Sequence, residues 1–163
     1  MKVLVLGPSG SGKTYIAHAL NKEGINTFDA DEIKDLSAWY KDGKKVAAPV
    51  TAKEATDNHY AFLWSREFLE DFLVQFKDVY IFGGSGNVFN IIDLFDKVFF
   101  LKIDPLTQKK RLLISRKNSV VDFNDDELVI WGAWFEQEVK KRKIAIVDAA
   151  LSPNEIFNII NKG

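Results

Sequence analysis

The segment Gly7-Pro8-Ser9-Gly10-Ser11-Gly12-Lys13-Thr14 constrains this chain more than any other. It follows Val3 to Leu6, a short apolar run of the kind that forms a strand buried on both faces. It precedes Thr14 to Asn21, where Ile16, Ala17 and Leu20 recur at helical spacing. Strand, glycine loop and helix in that order let successive backbone N–H groups converge on one anion, and the helix adds its unpaired amides and positive end. A lysine there supplies a point charge for terminal phosphates, and the hydroxyl after it can take one position on Mg²⁺. Gly7, Ser9, Gly10, Ser11, Gly12, Lys13 and Thr14 are therefore read as a nucleotide-phosphate cradle that matches G-x-x-x-x-G-K-[ST] at every fixed position.

Further strands are predicted at Asn26 to Phe28, Val79 to Phe82, Lys97 to Ile103 and Ile144 to Val147. Helices are predicted at Val88 to Phe95, after Asp104-Pro105, at Asp125 to Arg142 and at Pro153 to Asn161; Asp104 is expected to cap its helix and Pro105 to open it. Thr51 to Lys77 reads as helix in two pieces, with Phe62, Leu69, Phe72, Leu73 and Phe76 turned to a core, and Tyr40 to Pro49 reads as an exposed loop. Alternation of strand and helix predicts an α/β fold in three layers, α/β/α, with a five-stranded parallel sheet. With 163 residues, 47% of them hydrophobic, residues 1–163 are expected to form one domain with a single core.

Charge and composition narrow the chemistry. Lys plus Arg (22) nearly balances Asp plus Glu (23), so no basic field exists for nucleic acid or an anionic membrane. There is no cysteine and only two histidines, which removes disulfides, zinc-thiolate sites and thiolate nucleophiles. The apolar start breaks at Gly7-Pro8, too early for a signal peptide or a membrane span, so a cytoplasmic location is expected.

Among phosphate-loop proteins, motor and transporter ATPases end a later strand in a carboxylate, which Val79 to Phe82 and Lys97 to Ile103 lack, Asp104 being taken up by capping. A signalling GTPase needs N-K-x-D, whereas Asn21-Lys22-Glu23-Gly24 has glycine for the aspartate. The chain resembles, over essentially its full length, the nucleoside monophosphate kinase and shikimate kinase group. Asp29-Ala30-Asp31 matches the D-x-D after the second strand of the shikimate-kinase branch, and Gly83-Gly84 matches glycines that approach the substrate backbone-first. Arg116 matches an arginine leading into a lid, about 117–124, and the turn Asp148 to Pro153, with Ser152 and Pro153, matches one that lines adenine. Arg111, five residues from Arg116, does not share its helical face. Trp131-Gly132-Ala133-Trp134-Phe135 stands where shikimate kinases carry a second substrate arginine, and the adenylate kinase signature D-G-x-P-R is absent.

The resemblance implies ATP and Mg²⁺ as donor and metal, and a small-molecule acceptor such as a nucleoside or nucleotide. Lys13, Asp31 and Arg116 then carry catalysis, Thr14 and Asp29 the metal, and Asp29, Asp31, Arg66, Gly83 and Gly84 the acceptor. Each has a plainer alternative. Asp29 and Asp31 can be loop and cap residues, Gly83-Gly84 a turn, and Arg66, expected on the same stripe as Phe62, Leu69 and Leu73, can pair with an internal carboxylate instead of an anionic substrate. Trp39, Tyr40, Trp64 and Trp131 can stack on a base or simply pack. The competing function is a nucleotide-dependent switch or slow NTPase with no acceptor.

Overall fold

The structure, a computed structural model, describes residues 1–49, 51–115 and 125–162. Five parallel strands form the main sheet: β1 (Lys2–Leu6), β2 (Thr27–Asp29), β6 (Val79–Phe82), β7 (Lys97–Lys102) and β8 (Ala145–Asp148), in spatial order β2-β6-β1-β7-β8. The central strand β1 sets Leu4 opposite Ile81 on one side and Val98 on the other. Alternation along β1 explains why its whole apolar run is buried. Val3 and Val5 face a cluster with Ile16 and Leu20 of helix α1 (Lys13–Lys22) and Ile156 and Ile160 of α6 (Pro153–Lys162). Leu4 and Leu6 face Leu69 and Leu73 of α3 (Arg66–Leu73) and Val139 of α5 (Asp125–Lys141). Because the strands are parallel, the phosphate-loop segment, Asp29, Gly83, Asp104 and Ala149 all emerge along one edge of the sheet, where open α/β sheets bind ligands.

A second sheet departs from the sequence expectation. Tyr40 to Pro49 is largely not a loop: β3 (Ser37–Lys41) and β4 (Lys44–Val46) form a hairpin, and β5 (Ala61–Trp64) pairs with β3, giving a three-stranded antiparallel sheet. Asp42 and Gly43, at φ 50° and 74°, make the two-residue turn that such a hairpin favours. Thr51 to Lys77, expected as helix in two pieces, carries two helices separated by β5. Only α2 (Ala52–Asp57) and α3 are helical, and Phe62 lies on β5, where its ring meets that of Trp39 on β3 at 5.2 Å. Ser65 then restarts the helix by accepting from the Phe68 amide. Val88 to Phe95, expected as one helix, is two single 3-10 turns, Val88–Asn90 and Ile92–Leu94, separated by Ile91 at φ −129°. Asp104 accepts from the Thr107 amide at 2.9 Å and opens α4 (Pro105–Ser115) as expected.

Candidate active site

The loop after β1 is wound by glycines in the left-handed region, Gly10 at φ 82° and Gly12 at φ 95°, a conformation that L side chains rarely adopt. No side chain caps α1 at Gly12, so the amides of its first turn are left for a ligand. The Ser11 hydroxyl is buried in the loop and has no hydrogen-bond partner. Lys13 folds over the loop, its Nζ donating to the carbonyls of Gly7 at 2.7 Å and Pro8 at 2.9 Å. Burial pulls the Lys13 ammonium below its ordinary value, while the carboxylates of Asp31 and Asp29 act in the opposite direction.

Asp29 closes β2 and is buried. One oxygen accepts from the Thr14 hydroxyl, and the other accepts from the Asp31 amide at 2.9 Å. Asp29, not Asp31, therefore caps the short turn Ala30–Glu32. The Asp31 side chain reaches solvent at the mouth of the site yet is crowded by protein; lost hydration first, then repulsion from Asp29, push its carboxyl up, against the pull of Lys13. Lys13, Thr14, Asp29 and Asp31 thus form one coupled group at the sheet edge.

Helix α4 braces the loop from the side, a feature the sequence reading missed. Gln108 is buried and donates from Nε2 to Ser9 O at 2.8 Å, and Arg111 Nη1 donates to Ser11 O at 3.2 Å. The available signal was a pair of polar residues, Gln108 and Arg111, one turn apart on a helix that leaves the sheet edge at Asp104. Arg111 also lines a cavity of about 480 Å³ with Ser11, Gly12, Tyr15, Ser152 and Pro153. The two residues expected to line adenine therefore share a cavity with the loop. Helix α5 covers the loop's other side, where Gly132 lets it approach Pro8: a Cβ there would stand 3.0 Å from the proline side chain.

Two expectations are corrected. Arg66 shares α3 with Leu69 and Leu73 but not with Phe62, and it is not buried among them: it is exposed and engaged by Asp93 at 3.0 and 2.5 Å, by Glu70 at 2.9 Å and by the carbonyl of Asn90 at 3.3 Å. The internal-carboxylate alternative is the one observed. Gly83 and Gly84 do not open backbone toward a substrate on their Cβ side. A Cβ on Gly83 would strike Ala30 at 2.4 Å and Trp64 at 2.9 Å, and one on Gly84 would press on Phe135 at 3.3 Å, so protein side chains fill that space. The rest of this loop ties the two sheets together: Gly86 N donates to Phe62 O, and Asn87 both accepts from Trp64 N and donates to Trp64 O, each at 3.0 Å. Arg116 and the lid over 117–124 lie outside the described residues.

A second cavity, of about 460 Å³, opens on the far side of Asp29 between α1 and α3; it is bordered by His18, Glu32 and Lys34 and by neither Lys13 nor Asp31. Among the described residues no helix is long and apolar enough to cross a membrane.

No protein-family model and no curated protein matches the chain. Solved structures do. A deoxyadenosine kinase from M. mycoides with bound dCTP superposes with a TM-score of 0.56 at 16% identity, over 100% of both chains. A gluconokinase from Sinorhizobium meliloti gives 0.54 at 14% identity, covering 96% of this chain and 87% of that one. The chain shares the α/β fold of these two proteins. At this identity the likeness speaks for the architecture, five parallel strands with the loop after β1, and the chemistry has to be argued from the residues.

Proposed function

We propose that the chain is a Mg·ATP-dependent kinase that transfers the γ-phosphoryl group of ATP to a small-molecule acceptor, with residues 1–163 acting as one catalytic domain in the cytoplasm. The observation that carries this reading is the Thr14–Asp29 hydrogen bond, which joins the phosphate loop to the acidic pair. One strand-end carboxylate would serve the metal alone, as in ATPases; Asp31 beside it supplies a second that can meet an acceptor hydroxyl. The names of the structural neighbours, a deoxyadenosine kinase and a gluconokinase, support the same reaction class.

The residues suit the groups they would hold. The unpartnered Ser11 hydroxyl, the uncapped first turn of α1 and the Lys13 ammonium form a polyphosphate cradle, and the cavity beside Arg111, Ser152 and Pro153 has room for a base. Thr14 and Asp29 offer the few oxygen ligands that suit a cation sharing its shell with phosphates and water. Bound Mg²⁺ would neutralise charge on the β- and γ-phosphates. Lys13 exchanges its two loop carbonyls for phosphate oxygens, so the loop is held in shape before nucleotide arrives. Asp31 orients the acceptor hydroxyl and receives its proton, a role that its raised pKa suits. Arg116 would add charge stabilisation from the lid.

ATP consumption measured across a panel of nucleosides, nucleotides and sugar acids tests the proposal. Acceptor-dependent ADP release that vanishes in Lys13→Ala is expected, with adenosine binding retained in that variant because Lys13 addresses phosphates. ADP release that no acceptor accelerates would replace the kinase by a slow NTPase.

A further inference from the structure

Trp64 is buried, and its indole Nε1 has no hydrogen-bond partner. Its ring packs against the position of Gly83 beside Ala30, the residue between Asp29 and Asp31, so the inner end of the small sheet adjoins the acidic pair. Strand alternation places Phe62 on the same face as Trp64, and the β3 register sets Trp39 opposite Phe62. Trp39 meets Phe62 at 5.2 Å and Tyr60 at 6.5 Å, and all three rings are half-exposed. An aromatic stripe therefore runs outward from the acidic mouth.

Carboxylates predominate around that mouth. Asp29, Asp31 and Glu32 follow one another there; Lys13, the cation beside them, is turned onto the loop carbonyls, His18 meets Glu32, and further cations among the described residues are directed elsewhere. Arg66 is held by Asp93 and Glu70, Arg142 by Glu138 and the face of Phe89, and Arg111 by the nucleotide loop. Lys34 borders the cavity on the far side of Asp29. Lys41 lies over Tyr60, and with Lys44 and Lys45 it marks the hairpin tip. Ser37, the partner of Trp64, is four residues from Lys41, so the tip stands about 13 Å away along the strand.

This distance separates two kinds of acceptor. In a nucleoside monophosphate the attacking atom belongs to a phosphate dianion, which would have to enter between Lys13 and Asp31 with the lysines of the tip out of reach. A neutral hydroxyl instead donates to the carboxylate it meets. Resting on the kinase reading above, we infer that the acceptor is an uncharged nucleoside, its hydroxyl set against Asp31 and its base laid along the Trp39–Phe62 stripe. The hydroxyl oxygen bonds to the γ-phosphorus as the bond from that phosphorus to the ADP oxygen breaks. The hydroxyl proton passes to Asp31 and then to solvent, leaving a nucleoside monophosphate and ADP.

The experiment is a matched set of acceptors: adenosine, deoxyadenosine and deoxycytidine, their 5′-monophosphates, and gluconate. At least one nucleoside should be phosphorylated, with kcat/KM at least about tenfold above its monophosphate. Trp39→Leu should raise KM for that nucleoside and leave ATP affinity within about twofold. In Asp31→Asn, calorimetry should find the monophosphate bound roughly 3- to 10-fold more tightly than in the parent, once the repulsion is removed. Preferred turnover of a monophosphate or of gluconate overturns the neutral acceptor and leaves the kinase standing. ADP release that no member of the set accelerates overturns both.

Discussion

The hydroxyl of Thr14 donates to Asp29 across the junction between the first turn of α1 and the end of the edge strand β2. This contact holds Thr14 and the acidic pair in one geometry. Thr14→Val keeps the shape and removes both the donor and the oxygen ligand. It should lower kcat by roughly 10²-fold or more and abolish the Mg²⁺ dependence of ATP affinity, while metal-free ATP still binds. Thr14→Ser should recover most of the activity. Calorimetry with and without Mg²⁺ reads this directly, and an unchanged metal dependence in the valine variant would detach Thr14 from the metal.

Asp31 gives a prediction in pH. Crowding and Asp29 raise its carboxyl above the ordinary 3.8, so the folded chain holds that proton more tightly than the unfolded chain. Its contribution to stability is therefore favourable below pH 3.8 and is lost as pH climbs through the raised folded value. Asp31→Asn should melt above the parent at pH 7 and closer to it near pH 3, while phosphoryl transfer falls by roughly 10²- to 10⁴-fold. Higher stability joined to lost turnover marks a functional carboxylate. Equal melting at both pH values and full activity would make it an ordinary loop residue.

Arg111 and Arg116 should separate in kinetics. Arg111 rests on the loop and lines the cavity beside Ser152, so Arg111→Ala should raise KM for ATP by roughly tenfold and change kcat less. Arg116→Ala should lower kcat by roughly 10²-fold and leave ATP affinity nearly intact. Steady-state kinetics with ATP varied at saturating acceptor distinguishes them, and the reverse pattern would exchange their roles.

The phosphate loop was legible because its glycines, lysine and threonine are dictated by backbone geometry and charge at fixed spacing, independent of the rest of the fold. The main sheet was legible for a similar reason: runs such as Val79 to Phe82 are apolar throughout and bounded by turn residues. The small sheet was not. Phe62 and Leu69 lie at a spacing that suits one helix face, while the real period of Tyr60, Phe62 and Trp64 is two and depends on β3, distant in sequence. Asp42-Gly43 was the one local sign of the hairpin, and the lysines around it made it read as loop. Arg66 keeps helical spacing with Leu69 and Leu73, but at the first position of α3 its long side chain reaches out to Asp93 and Glu70 instead of turning inward, which spacing alone does not tell.

Asn87 offers a test of how the sheets are joined. Its amide treats Trp64 as a strand would, accepting from N–H and donating to C=O. Asn87→Asp keeps the acceptor and sets a carboxylate against the Trp64 carbonyl. It should cost about 1–3 kcal/mol in urea unfolding and raise KM for the acceptor more than KM for ATP. Equal changes in both would show a general loosening.

Phe62 and Trp64 are the points at which the glycine loop binds β5, and both lie at the inner end of the small sheet. The hairpin tip at Asp42-Gly43 is at the other end, away from Lys13 and Thr14. The small sheet is thus attached like a cassette, with a fixed socket and an outer rim. On the kinase reading, replacing Trp39 would retune which compound is accepted without disturbing the donor nucleotide, and a chain of this design could change its diet while keeping its engine.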